Sequence, residues 1–289
     1  MKDHKDNFAN NPTCRLINPS KSEIGKVSKQ ILDRINKVVT IKAGFLQWKS
    51  SKATLDWFRA IKNKRRCSFI AFDIVNFYPS ISQELLSDVL KFASAYTEIS
   101  SADREIILHA KQSLSFNNGT AWTKKCSPIS FDVTMGSFDG AETCELVGSY
   151  LLCQLPKAIR SKVGLYRDDG LGVFRESARK TELIKKQICS VFSENGLKIT
   201  IEANKKVVNF FDVTLDLEKN TYEPYMKPGN TPLYVHSDRN HPPSITKNIP
   251  LAINRRLNEI SSSKEAFDRA ASAYQQALGI SVRNEEPEP

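Results

Sequence analysis

One acid constrains this chain more than any other residue. Cys67-Ser-Phe-Ile-Ala-Phe-Asp-Ile-Val75 is an apolar run short enough for a buried strand, and only Asp73 interrupts it. A carboxylate in that position is costly unless something pairs with it. The fold must therefore bring a partner to this strand. Directly after it, Asn76-Phe-Tyr-Pro-Ser80 breaks the extended pattern.

The rest of the chain supplies elements that could surround such a strand. Leu85, Leu86, Val89, Leu90 and Ala93 follow a helical period after Ser82, and Ile106, Ile107, Ala110 and Leu114 suggest a second helix. A glycine-bearing approach, Met135-Gly-Ser-Phe-Asp-Gly140, leads into a third helix with Cys144, Val147, Leu151 and Leu155 on one face. Val163 to Phe174 reads as strand, tight turn and strand, with Asp168-Asp169-Gly170 at the bend, because aspartate followed by glycine is a hairpin signal. A fourth helix through Leu183, Ile188 and Phe192 stops at Asn195-Gly196, and Lys198–Glu202 and Val207–Leu217 alternate like strands. Pro224, Pro228, Pro232, Pro242, Pro243 and Pro250 then punctuate a loop-rich region before an amphipathic helix around Phe267, Tyr274 and Leu278 and a tail expected to be disordered. The order lacks regular strand–helix–strand alternation. It predicts an α+β domain with helices on one face of a largely antiparallel sheet.

Charge narrows the class of partner. The net charge of +10 lies wholly between Lys21 and Arg66, where thirteen Lys and Arg face three acids. A basic segment followed by a balanced body suggests a surface that tracks a phosphate backbone, attached to something that does chemistry. The alternative for that segment is a solvated helical face. Six cysteines without a CxxC pair argue against a zinc site or a disulfide framework and for a reducing compartment. No signal-peptide core and no membrane-spanning apolar stretch is present, so an intracellular setting, cytoplasm or nucleus, is expected.

Asp73 at a strand end and Asp168 and Asp169 at a hairpin bend converge if strand and hairpin are neighbours in one sheet. Clustered carboxylates repel unless a hard cation sits between them, and Mg²⁺ held by one or two carboxylates plus substrate phosphates is the common arrangement. Taken singly, each signal is weak, since Asp-Asp-Gly occurs in many plain turns. Their joint occurrence behind a basic segment is what a nucleic-acid polymerase needs.

At these residues the chain resembles the reverse transcriptases. Phe72-Asp-Ile-Val-Asn-Phe-Tyr-Pro-Ser-Ile81 matches motif A, and Leu165-Tyr-Arg-Asp-Asp-Gly170 matches the Tyr-x-Asp-Asp box. Met135-Gly-Ser-Phe-Asp-Gly-Ala-Glu-Thr-Cys-Glu145 resembles motif B, Cys14-Arg-Leu-Ile-Asn-Pro19 the arginine-bearing fingers motif, and Asn209-Phe-Phe-Asp-Val-Thr-Leu215 the primer-grip region of Penelope-like and related non-retroviral retroelement enzymes. The resemblance implies a polymerase palm with partial fingers and thumb: basic fingers over 1–66, a palm over 67–222 with a fingers insertion within 94–130, and a thumb connection over 223–289.

It also implies roles. Asp73, Asp168 and the Ile74 carbonyl would hold two Mg²⁺ ions, with Mn²⁺ as a substitute, and Asp169 is a third acid at the site. Tyr78 matches the steric gate against a ribose 2′-hydroxyl, and Arg15 the arginine that grips the incoming triphosphate. Gly136 and Gly140 fit the motif B turn. Lys205 or Lys206 corresponds to the lysine that protonates the leaving pyrophosphate, and spacing does not choose between them. The implied partners are an RNA or DNA template with primer and deoxynucleoside triphosphates. Motif B departs from the family pattern at Met135, Gly140-Ala141 and Glu145. Two other readings stand beside this one: a nucleic-acid-binding fragment that no longer polymerises, and a family B DNA polymerase, whose motif A carries a similar Tyr-Pro-Ser-Ile.

Overall fold

A computed structural model describes residues 22–112, 115–117, 119–122, 131–229 and 242–281. Helix α1 (Glu23–Ala43) is followed by a short strand β1 (Leu46–Gln47), helix α2 (Ser51–Ala60) and a 3-10 turn at Lys64–Arg66. Next come β2 (Ser68–Ile74), the single turn α3 (Phe77–Ser80), α4 (Gln83–Ala93), α5 (Ser101–His109), β3 (Ser115–Asn117) and β4 (Thr120–Trp122). Helix α6 (Gly140–Gln154) and the turn α7 (Lys157–Arg160) precede a hairpin of β5 (Val163–Tyr166) and β6 (Asp169–Phe174), then α8 (Ala178–Glu194). Strands β7 (Ile199–Lys205), β8 (Val207–Phe210), β9 (Val213–Asp216) and β10 (Thr221–Pro224) and helices α9 (Pro243–Ile260) and α10 (Lys264–Ser281) complete it. Among the described residues, no helix is long and apolar enough to cross a membrane.

These elements group into two compact units. The first is drawn from the described residues of Met1–Gln47, Phe72–Gly172 and Glu182–Glu202, the second from those of Trp48–Ala71, Val173–Thr181 and Ala203–Pro289. Whereas the expected division ran linearly along the chain, these units are interleaved in sequence. The basic segment is divided between them, with α1 in the first unit and the stretch from Trp48 to Arg66 in the second.

A five-stranded sheet has the order β1-β5-β6-β2-β7, and the first unit contains its residues Leu46–Gln47, Phe72–Ile74, Val163–Tyr166, Asp169–Gly172 and Ile199–Glu202. Strands β5 and β6 pair antiparallel, and β1 runs parallel to β5. β2 lies between β6 and β7, and its residues are buried almost continuously, as expected of a strand covered on both faces. Helix α4 buries Leu85, Leu86, Val89, Leu90 and Ala93, and Ser82 caps it by accepting a hydrogen bond from the Leu85 N–H. α6 differs from its expected single apolar stripe. Besides Cys144, Val147 and Leu151 it buries Thr143, Leu146, Gly148, Ser149 and Leu152, because α1, α4 and β5 pack around it.

That central position takes charge inward with it. Asp139, at the head of α6, is buried with Lys111, just beyond α5, and each is only 1% exposed. Their contact is an ion pair and not an aligned hydrogen bond, while the Ser28 hydroxyl on α1 donates to the same carboxylate. Burial lowers the pKa of the Lys111 ammonium, and Asp139 opposes that shift. Neighbouring polar contacts fix α1 against α6: Lys29 pairs with Glu142, and the Asn36 side chain donates to the Glu142 carbonyl at 2.9 Å.

The second unit holds the antiparallel meander β8-β9-β10. Phe58 of α2 stacks on Phe69, and Trp48 meets Trp57 and Phe210 edge-on. Arg256 of α9 grips Asp212 at 2.6–2.9 Å, and the Ser51 hydroxyl donates to that carboxylate at 3.0 Å. Pro250, expected as loop punctuation, lies inside α9. Its solvent-exposed position lets the helix tolerate a missing N–H there, although an internal proline ordinarily breaks or kinks a helix. Leu114, part of the expected second helix, and the 284–289 tail lie outside the described residues.

Breaking the buried Lys111–Asp139 pair from one side leaves an uncompensated charge. Asp139→Ala should cost about 3–5 kcal/mol in urea denaturation, and Lys111→Met with Asp139→Leu should recover most of it.

Candidate active site

The site is assembled where β2 ends. Asp73 is the exposed member of a strand whose other residues are mainly buried, and Ile74 behind it is fully buried. The Ile74 N–H donates to the Asp168 carbonyl at 2.8 Å, and the Val75 N–H to the Lys198 carbonyl at 2.8 Å. The end of β2 is thus stitched to the starts of both neighbouring strands. The pairing of Tyr166 with Asp169 makes Arg167 and Asp168 the two loop residues of the β5–β6 hairpin. The bend lies two residues earlier than the Asp169-Gly170 signal indicates.

Gly170 has a different reason to be glycine. It lies within β6 beneath the Phe72 ring, and a Cβ added there would sit 2.1 Å from Phe72 Cζ. Phe72 is held in turn by an edge-on contact with Phe192 at 5.3 Å. Arg167 carries the sharp turn instead, with φ of 52°, a conformation that usually calls for glycine at the first position of a two-residue hairpin loop. Its guanidinium lies 5.2 Å from the centre of the Tyr166 ring.

Three carboxylates therefore meet at one place. Burial of Asp169, followed by the charges of Asp168 and then Asp73, pushes its carboxyl up to about 6. Among the described residues, no three acidic, thiol or imidazole groups close round a ready-made metal cage. A looser, mutually repelling set of carboxylates suits Mg²⁺, which keeps several waters and takes one or two protein carboxylates beside substrate phosphates.

The glycine turn and α6 complete the surroundings. Gly136 has φ of 88°, where a side chain would be strained. A Cβ on Gly140 would lie 2.8 Å from Ser137 Oγ and 3.3 Å from Tyr78 Cε1, so the ring of Tyr78 packs directly over the head of α6. Burial, then the Cys144 thiol, raises the Tyr78 phenol to about 12, with Asp168 adding to the rise and Arg167 opposing it. The phenol stays neutral across the physiological range. Burial likewise pushes the Cys144 thiol well up, with Asp168 contributing.

The first unit thus brings together Asp73, Ile74, Tyr78, Gly140, Asp168 and Asp169. Arg15 lies outside the described residues. Lys205 and Lys206 belong to the second unit. Lys205 is exposed at the end of β7, whereas the Lys206 ammonium donates to the carbonyls of Arg65 and Cys67, each at 2.8 Å. Sequence reasoning did not single out Arg167, Cys144 as a neighbour of the acids, or the Lys111–Asp139 pair. Arg167 stood inside a matched motif, but nothing in the sequence marked Lys111 as buried.

No protein-family model and no curated protein matches the sequence. Solved structures do match in fold. Telomerase from Candida albicans, in complex with a fragment of telomeric RNA, is similar with a TM-score of 0.58 and 12% identity over 89% of this chain and 46% of that one. The RNA-dependent RNA polymerase of a human picobirnavirus gives a TM-score of 0.55 and 12% identity over 91% and 57% of the two chains. Apo telomerase from Candida tropicalis gives 0.56 and 9% identity over 90% and 52%. The chain spans about half the length of these structures, and its α+β fold is that of a polymerase palm.

Two outcomes follow from this geometry. Gly170→Ala should destabilise the protein by about 1–3 kcal/mol in urea unfolding through overpacking, and Phe72→Leu in the same chain should restore part of the loss. The raised Asp169 carboxyl holds a proton that the unfolded chain releases at lower pH. Its stabilising contribution is therefore full below the unfolded value of 3.8 and lost as pH rises through about 6. Thermal melts with a chelator present should show wild type losing more stability between pH 5 and pH 7 than Asp169→Asn does.

Proposed function

We propose that this chain is an RNA-directed DNA polymerase of the non-retroviral retroelement type. The convergence of Asp73, Asp168 and Asp169 beside Tyr78, on a palm-like fold, carries this reading. The reaction joins a template-bound primer 3′-hydroxyl to a deoxynucleoside triphosphate: the hydroxyl oxygen bonds to the α-phosphorus, the bond to the β-phosphate oxygen breaks, and pyrophosphate leaves. Asp73, Asp168 and the Ile74 carbonyl would hold two magnesium ions. Bound there, such ions supply charge neutralisation at the attacking and leaving oxygens.

The chain's own groups do the positioning. The neutral Tyr78 ring, pressed over Gly140, is the wall that would exclude a ribose 2′-hydroxyl. The left-handed Gly136 turn lets backbone approach a nucleotide closely. Lys205 or Lys206 takes the general-acid role by resemblance alone. Arg15 takes the triphosphate-gripping role by resemblance alone. The coverage of about half of the matched structures favours one second reading, a template-binding fragment that needs further chain to polymerise.

Primer extension on an RNA template, with deoxy- and ribonucleotides compared, tests this. Wild type should extend with deoxynucleotides, and Asp168→Ala should lose on the order of 10²–10³-fold in rate, as removal of a transition-state charge stabiliser does. Tyr78→Ala should admit ribonucleotides. Equal incorporation by wild type and Asp168→Ala would sink the site assignment, and template binding without extension by either would favour the second reading.

A further inference from the structure

The surplus charge of the basic segment is unevenly available. On α1, three of the five cations have partners: Lys29 pairs with Asp33 and Glu142, Arg34 with Asp103, and the Lys42 ammonium donates to the Tyr96 carbonyl. In the second unit Lys64 and Arg65 of the stretch from Lys62 to Arg66 likewise donate to carbonyls, but its four cations crowd a single turn. Its 3-10 turn and the β9–β10 turn border one cleft, lined by Ile61, Asn63, Arg65 and Arg66 on one side and Leu217 and Asn220 on the other. Lys62, Arg65 and Arg66 are exposed, as is Lys219 on the facing turn.

The loop is built to present donors. The Lys64 ammonium donates to the Ile61 and Arg59 carbonyls at 2.9 and 3.2 Å, and Lys206 covers those of Arg65 and Cys67. Four backbone acceptors of the loop are thus already engaged by ammonium groups. Arg65 Nε donates to the Glu218 carbonyl at 3.1 Å, which steadies that guanidinium while leaving its terminal nitrogens outward. Asp216 beneath the facing turn is mostly buried and accepts the N–H groups of Glu218 and Lys219. Glu218 is the one exposed acid of that turn.

From this arrangement we infer that the cleft between the Lys62–Arg66 loop and the β9–β10 turn binds the phosphodiester backbone of a nucleic acid. Adjacent guanidinium forks match phosphate oxygens bidentately. An anionic membrane fits less well, because the cleft residues include no exposed large hydrophobic side chain to enter a bilayer and Leu217 is fully buried. The inference stands on charge and geometry in the second unit and does not require the polymerase reading.

The test is fluorescence anisotropy of the full chain with a labelled 20-nucleotide RNA and the corresponding duplex across a salt series. Losing two phosphate contacts should flatten the slope of log affinity against log salt by about 1.4–1.8 in Arg65→Ala/Arg66→Ala. Arg66→Ala, which removes no recorded hydrogen bond, should give about half of that at an unchanged melting temperature. A Lys26→Ala/Lys37→Ala pair on α1 should keep the wild-type slope. An unchanged slope in the folded Arg66→Ala protein, an equal loss in the α1 pair, or dependence on these arginines only for anionic phospholipid vesicles would each overturn the inference. Failure of wild type to extend a primer while the slope change persists in the arginine variants would count against the polymerase reading and support this one.

Discussion

The hydrogen bond from the Ile74 N–H to the Asp168 carbonyl is the constraint on which the rest depends. It joins two strand ends far apart in sequence, and the side chains beside it are acids that would otherwise drift apart. Backbone pairing between strands therefore enforces what charge alone opposes. The cost appears at Asp169, whose carboxyl holds its proton more tightly than an ordinary aspartate. Rigid backbone around a repelling cluster is how a fold keeps such acids together without a counter-charge.

Around that bond, close packing replaces polar fastening. Phe72 covers Gly170 from one side, and Tyr78 covers Gly140 from the other. Both glycines are places where an aromatic ring takes the space of a side chain, so motif-level glycines here record ring positions as much as turns. Cys144 beneath Tyr78 is buried and its thiol stays protonated, which makes it a packing residue beside the acids and not a nucleophile.

Much of this was legible in the sequence, and the misreadings have physical causes. The apolar spacing of Leu85 to Ala93 specified α4 because a surface helix must show one dry face. The same reasoning under-read α6, since a helix buried nearly all round tolerates small and polar residues that mimic a wet face. The hairpin was found but its bend was misplaced, because Gly170 answers to the Phe72 ring and not to turn geometry. Pro250 reads as a breaker because it cannot donate the backbone bond, yet at its exposed position in α9 water can serve the carbonyl left over. Lys111 could not be read at all: a buried lysine differs from an exposed one through a partner that approaches only in three dimensions. The total charge was visible, but which cations already had partners was not.

The interleaving of the two units has a consequence for how the chain reaches this state. The first unit cannot close until residues Glu182–Glu202 join stretches that begin with α1. Such long-range closure raises contact order and slows folding, and during synthesis it leaves the apolar β2 waiting for partners that emerge much later. No single cut in the chain would release either unit whole. Asp73 and Asp168, some 95 residues apart in the chain, meet only once β2 has paired with the hairpin that is made long after it.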